Sequence, residues 1–185
     1  MKHSVSVALL ALLLGPTAYA ADTDTAPSFK SSAASELSQI WNEGATDIYL
    51  PLHTHHLRQA YSPALIASFN ENPWGFGIGR SYKDASGSWH AAYAMAFKDS
   101  HYKMEPIVGY ARMYPMARGG DVGMNLGYTA FITARNDIAH YAPIPGVLPM
   151  ASVEVGRLSL MTTFMPGRHN SGNIFFIFGK YTLPK

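Results

Sequence analysis

From Asp47 to the C-terminus, apolar and polar positions alternate with a period of two in short runs, and most runs end in clusters of Gly, Asn, Asp or Ser. Eight runs carry this pattern, at about 48–55, 74–82, 89–98, 106–115, 122–134, 147–156, 158–166 and 173–183, and predict eight strands. The cleanest is the fifth. Val122, Met124, Leu126, Tyr128, Ala130 and Ile132 share one face, while Gly123, Asn125, Gly127, Thr129 and Thr133 share the other with Phe131 as the exception. The separators DASGS (84–88), ARGGD (117–121) and GRHNSGN (167–173) read as turns. Ahead of the strands, Ala33, Leu37, Ile40 and Trp41 fall at helical spacing in SSAASELSQIWNEG and predict a short amphipathic helix ending at Gly44, lying on a membrane surface or packed on a core.

Other runs are apolar on both faces. In the eighth, Ile174, Phe176 and Phe178 oppose Phe175, Ile177 and Tyr181. A water-filled pore needs a polar lumen, whereas an eight-stranded barrel has an interior just wide enough for side chains or one slim ligand. The pattern therefore predicts an all-β fold, an eight-stranded antiparallel up-and-down transmembrane β-barrel preceded by a short amphipathic helix. A soluble sandwich or a lipocalin-like barrel remains the alternative on pattern alone.

Composition leaves a membrane barrel open. Charged residues make up only 14% of the chain and aromatics 12%, which is poor in ions for a water-facing surface. After the N-terminal segment no apolar run is long enough for a spanning helix, so a barrel is the only way for this chain to cross a bilayer. The segment MKHSVSVALLALLLGPTAYA (1–20) has the form of a secretory signal peptide cleaved before Ala21, giving an organisation of 1–20 signal, 21–46 leader and helix, and 47–185 barrel. The absence of cysteine excludes disulfides and thiol chemistry, and a net charge of +2 gives no basis for nucleic-acid binding. The only metal-ligand candidate is HTHH (53–56), so neither metal nor cofactor is expected.

An up-and-down meander places odd-numbered connections at one end of the barrel. The first, about 56–73, contains His56, and the third, about 99–105, contains Asp99 and Ser100, so all three are expected on one rim. The fifth and seventh connections share that rim and are expected to be longer than the even-numbered turns. An imidazole, a carboxylate and a hydroxyl are the groups that acyl transfer requires. The spacing alone leaves Asp99-Ser100 equally readable as a turn, and no G-x-S-x-G elbow is present.

Several stretches together resemble one family: DIYLPLHTHHLRQAY (47–61), NENPWGFGIGR (70–80), WHAAYAMAFKDSHYKMEPIVGY (89–110), LGYTAFITAR (126–135), LPMASV (148–153) and MPGRHNSGN (165–173). They are similar to PagP, the outer-membrane lipid A palmitoyltransferase family. The resemblance implies an outer-membrane enzyme, acting as a monomer without cofactor, that moves an acyl chain from a phospholipid donor to lipid A. It assigns catalysis to His56, Asp99 and Ser100, with His56 oriented or charged by Asp99, and identifies His56 by the His-x-Arg spacing to Arg58. His55 stands where the family has a bulky aromatic. Pro51 and Pro73, and Pro149 and Pro166, match two lateral gateways through which a lipid tail enters. Gly109 and Ala111 fall on the inner face of the fourth strand, and Ala111 replaces a glycine at the pocket floor, which implies a drift toward chains shorter than palmitate. Arg135, whose TAR motif matches the family, is expected to meet the anionic acceptor, while Arg58, Lys98, Lys103 and Arg168 are expected either to do so or to form a solvated rim. Asp84 and His90 belong to the opposite end, and the Leu183-Pro184-Lys185 terminus lacks the aromatic residue with which such barrels usually end. A non-enzymatic structural or lipid-binding barrel is the alternative reading.

Overall fold

A computed structural model describes residues 29–185, so the signal-peptide reading of 1–20 and the start of the leader lie outside the described residues. Helix α1 (Phe29–Glu43) precedes eight strands: β1 (Ala45–His56), β2 (Gly75–Lys83), β3 (Trp89–Lys98), β4 (Met104–Gly119), β5 (Val122–Arg135), β6 (Ile138–Val155), β7 (Leu158–Met165) and β8 (Ile174–Thr182). Each strand pairs antiparallel with its neighbour in sequence, and β1 closes on β8, giving a barrel without free edges. Within α1 the amphipathic pattern buries Ile40 and leaves Leu37 and Trp41 outside. The helix stops at Gly44, whose amide bonds the Ile40 carbonyl at 3.0 Å and where an added Cβ would lie 2.2 Å from that oxygen. Glu36 of α1 meets the buried ring of His90 on β3 at 2.5 Å, and Arg80 lies over Trp41, so the helix is fastened to the inner end of the barrel.

The period-two pattern sorts the residues by face. Leu50, Leu52, Phe76, Ile78, Val108, Met124, Leu126, Ile132, Val153 and Leu160 all point outward with large exposed apolar side chains, the band expected where lipid replaces water. The inner half of the lumen is filled by Tyr49, Trp89, Ala91, Ala111, Met113 and Met161. The outer half is hollow, with a cavity of about 240 Å³ bordered by Phe97, Ile107, Phe131, Leu148, Met165 and Phe176 among others.

Two ladders are incomplete in that outer half. Strands β1 and β2 pair only as far as Tyr49↔Gly77, and β6 and β7 only as far as Met150↔Thr163. Pro51 lies two residues beyond the first break and Pro149 one residue beyond the second, while Pro73 precedes β2 and Pro166 follows β7.

The fifth connection differs from its expected length. Residues 136–137 alone separate β5 from β6, and the extra chain is absorbed in β6, where pairing shifts between Ala134↔Pro143 and Arg135↔Ile138 and where His140 and Tyr141 take positive φ angles of 50° and 67°. Pro143, Pro145 and Pro149 do not break β6 because they share one parity. Their missing donors face the side where β7 is not yet paired.

Candidate active site

Strand alternation sends Thr54 and His56 into the barrel and turns His53 and His55 outward beside Ile177 and Phe175. The HTHH run therefore does not converge on one point. His56, the last residue of β1, is fully buried. Its Nε2 lies 3.0 Å from Ser100 Oγ, across 44 residues of sequence. Phe69 stacks on the imidazole at 4.4 Å and Tyr61 meets it edge-on at 5.3 Å, which leaves the ring one orientation.

Asp99 and Ser100 have left strand geometry. Asp99 Oδ1 accepts the backbone N–H groups of His101 and Lys103, each at 2.8 Å, and so ties the turn after β3 to itself. Its Oδ2 faces the Arg135 guanidinium at 3.8 Å without a hydrogen bond. Asp99 therefore does not hold His56, contrary to the sequence expectation, because both of its oxygens are turned to the hydroxyl-bearing turn and to Arg135.

The carboxylate beside His56 is Glu71, in the NENPWG stretch of the first connection. Glu71 Oε1 is 3.0 Å from His56 Nδ1 and accepts the His56 backbone N–H at 3.3 Å. Arg58 donates to both Glu71 oxygens, at 2.7 and 2.6 Å. That guanidinium, joined by the His56 contacts, pulls the Glu71 carboxyl from its usual value near 4.5 down to about 2. Arg58 is thus occupied by Glu71 and does not reach into the cavity. The first connection forms a short 3-10 turn (Arg58–Ala60) and helix α2 (Pro63–Ser68) before returning along β1, where the Glu71 carbonyl accepts the Thr54 N–H at 2.9 Å.

Arg135 lines the cavity and is gripped by Asp137, with Nε and Nη2 both at 3.0 Å, and by Glu105 at 3.4 Å. The described residues bring one set of ligand-type groups together, Asp99, His101 and Asp137 within 4.8 Å of one another, and Arg135 already holds both Asp137 oxygens. Lys98, Lys103 and Arg168 are exposed.

The cavity ends at Tyr93, Met95, Thr129, Met150 and Phe178. Tyr93 Oη bonds Thr129 Oγ1 at 2.7 Å across this floor. Gly109 and Ala111 lie behind it and do not line the cavity. A Cβ at Gly109 would come within 2.6 Å of Tyr93 Oη, so this glycine is what lets the phenol lie flat, and the fully buried Ala111 pairs with Thr129 one layer down.

A buried His-Ser contact with a carboxylate behind the ring, set at the mouth of an apolar well that is closed at its base, is an arrangement for handling the ester of one alkyl chain. The family model described as "Antimicrobial peptide resistance and lipid A acylation protein PagP" matches residues 36–180. The chain belongs to this family. Proteins named "Lipid A acyltransferase PagP" from Methylobacillus flagellatus and Bordetella parapertussis are 40% and 42% identical to it, the first over 97% of both chains and the second over 95% of this chain and 96% of its own. The Dickeya zeae protein of the same name is 46% identical over 82% of this chain and 70% of its own. For a PagP-family barrel, the residue that sequence reasoning missed is Glu71. Parity puts the NENPWG run on the same rim as His56 and Ser100, yet no pattern within it singles out Glu71 as the acid that meets the ring.

Proposed function

We propose that this PagP-family protein is an outer-membrane acyltransferase that moves a palmitate-like chain from a phospholipid to a hydroxyl of lipid A. The observation that carries the reading is the 3.0 Å approach of His56 Nε2 to Ser100 Oγ at the top of an apolar cavity. The donor tail enters from the side, through the breaks beside Pro149 and Pro51, and lies against Leu148, Phe131 and Phe176 with its end on the Tyr93–Thr129 floor. Its ester then rests beside Ser100.

His56 Nε2 takes the proton of the acceptor hydroxyl as that oxygen attacks the ester carbonyl. When the tetrahedral intermediate collapses, the same nitrogen returns the proton to the departing glycerol oxygen, leaving lysophospholipid and acylated lipid A. Ser100 hydrogen-bonds the reacting ester, and Arg135, held between Asp137 and Glu105 and facing Asp99, joins the acidic side chains of the cavity mouth into one brace. The chain acts as a monomer, since one barrel holds the well and its catalytic groups.

The test is mass spectrometry of lipid A from cells carrying wild-type protein or His56→Ala, with both proteins recovered in the outer-membrane fraction. The mutant is expected to lose the added acyl group; its retention would remove His56 as the base, and lipid A without the added group in wild-type cells as well would leave a lipid-binding scaffold as the reading. A covalent acyl adduct trapped on Ser100 during turnover would replace direct transfer with a two-step route through the same histidine.

A further inference from the structure

We propose that Glu71 is the positioning residue of the catalytic imidazole, and that Arg58 is the clamp that holds Glu71 in that role. The inference rests on the reading of His56 as the base and assigns a task to two residues of the first connection.

An imidazole can take a proton at Nε2 only if its other proton sits on Nδ1. Here Nδ1 faces a carboxylate oxygen at 3.0 Å and Nε2 faces the Ser100 hydroxyl at 3.0 Å. A carboxylate accepts and does not donate, so Glu71 selects the tautomer with hydrogen on Nδ1 and leaves Nε2 bare toward the reacting oxygen. The same Glu71 oxygen also accepts the His56 amide at 3.3 Å, so ring and backbone of one residue are fixed by one atom.

Glu71 is itself held at three places. Arg58 engages both oxygens in a fork, the Glu71 carbonyl is bonded by Thr54, and Phe69, two residues earlier, forms the platform under the imidazole. The guanidinium holds the carboxyl well below its usual value, so at neutral pH Glu71 is ionised and stays the acceptor of the Nδ1 hydrogen bond. It balances the imidazolium when His56 carries the catalytic proton. Asp99 is placed for a different task. By closing the turn it fixes Ser100, and its free oxygen faces Arg135.

The experiment uses the full mature chain in detergent, with Glu71→Gln, Glu71→Asp, Arg58→Lys, Asp99→Asn and His56→Ala. Two readouts are taken: transfer kinetics in phospholipid and lipid A micelles, and nitrogen-15 spectra of the His56 ring without substrate. Glu71→Gln is expected to lower kcat by about 100-fold or more with KM little changed, and to lose the Nδ1-protonated signature. Glu71→Asp should keep the signature and recover part of the rate, and Asp99→Asn should keep the signature whatever its rate. Should Glu71→Gln fold poorly, Arg58→Lys gives the same readout through a weakened fork. An unchanged tautomer in Glu71→Gln, even with a slowed rate, overturns the assignment, as does loss of the signature in Asp99→Asn alone. Full activity in His56→Ala would instead remove the base reading, and the substrate-free spectra separate the two failures.

Discussion

The backbone amide of Asn70 donates to the carbonyl of Ser100 at 2.9 Å, so the connection that carries Glu71 and the turn that carries the hydroxyl are fastened to each other without passing through His56. The Asn70 side chain adds a bond to the Asp99 carbonyl at 3.2 Å. The two halves of the site therefore meet in a fixed register before any substrate arrives.

Replacing Asn70 by Ala leaves that backbone bond and strips two side-chain ones, to the Asp99 carbonyl, which keeps the Tyr102 amide at 3.1 Å, and from the Asn72 amide at 3.2 Å, at a cost of about 0.5–1.5 kcal/mol for each. The expected result is a lowered thermal midpoint and roughly a tenfold fall in kcat. Initial rates and unfolding scans on the same preparation check both.

The floor of the cavity makes opposite predictions for two adjacent inner positions of β4. Gly109→Ala places a methyl within 2.6 Å of the Tyr93 hydroxyl and drives the phenol up into the well, so the favoured chain shortens by about one methylene. Ala111→Gly removes a methyl beneath Thr129, lets the floor settle and lengthens the choice by a similar step. Mass spectra of the acylated product report the sign of each change.

Access from the side is testable because the chain has no cysteine of its own. Continuing the Met150↔Thr163 register outward sets Pro149 opposite Phe164. The double substitution Pro149→Cys, Phe164→Cys is expected to stop transfer at least tenfold when oxidised and to recover on reduction. Unchanged turnover in the cross-linked protein would exclude the β6–β7 break as an entrance.

Acid stability follows from Glu71. A carboxyl whose folded pKa is lowered contributes stability in full above its unfolded value and loses it as pH falls through the folded one, here from near 4.5 toward about 2. The stability gap between wild type and Glu71→Gln should shrink as pH falls below about 4.5 and vanish toward pH 2. It should be small and reduced by salt, because Arg58 is half exposed. Thermal midpoints measured across that range decide it.

The strands were legible because the alternation at 122–134 is a direct image of lipid on one side and lumen on the other. His56 and Ser100 were legible because parity alone carries them to one rim. Glu71 was not, since a period of two ends where the strand ends, and nothing in a connection's composition says which acid turns toward the ring. Asp99 attracted that role through its adjacency to Ser100, yet its side chain spends one oxygen on its own turn. The length of β6 was hidden by its prolines, which break a strand flanked on both sides but not one whose outer half has a single neighbour.

The layer from Tyr49 to Met161 beneath the floor makes the molecule a cup and not a tube. Whatever is poured in at the brim cannot drain at the base, so a planar bilayer holding this protein should pass no ionic current, and a cell can keep such a well open in its outermost barrier without springing a leak.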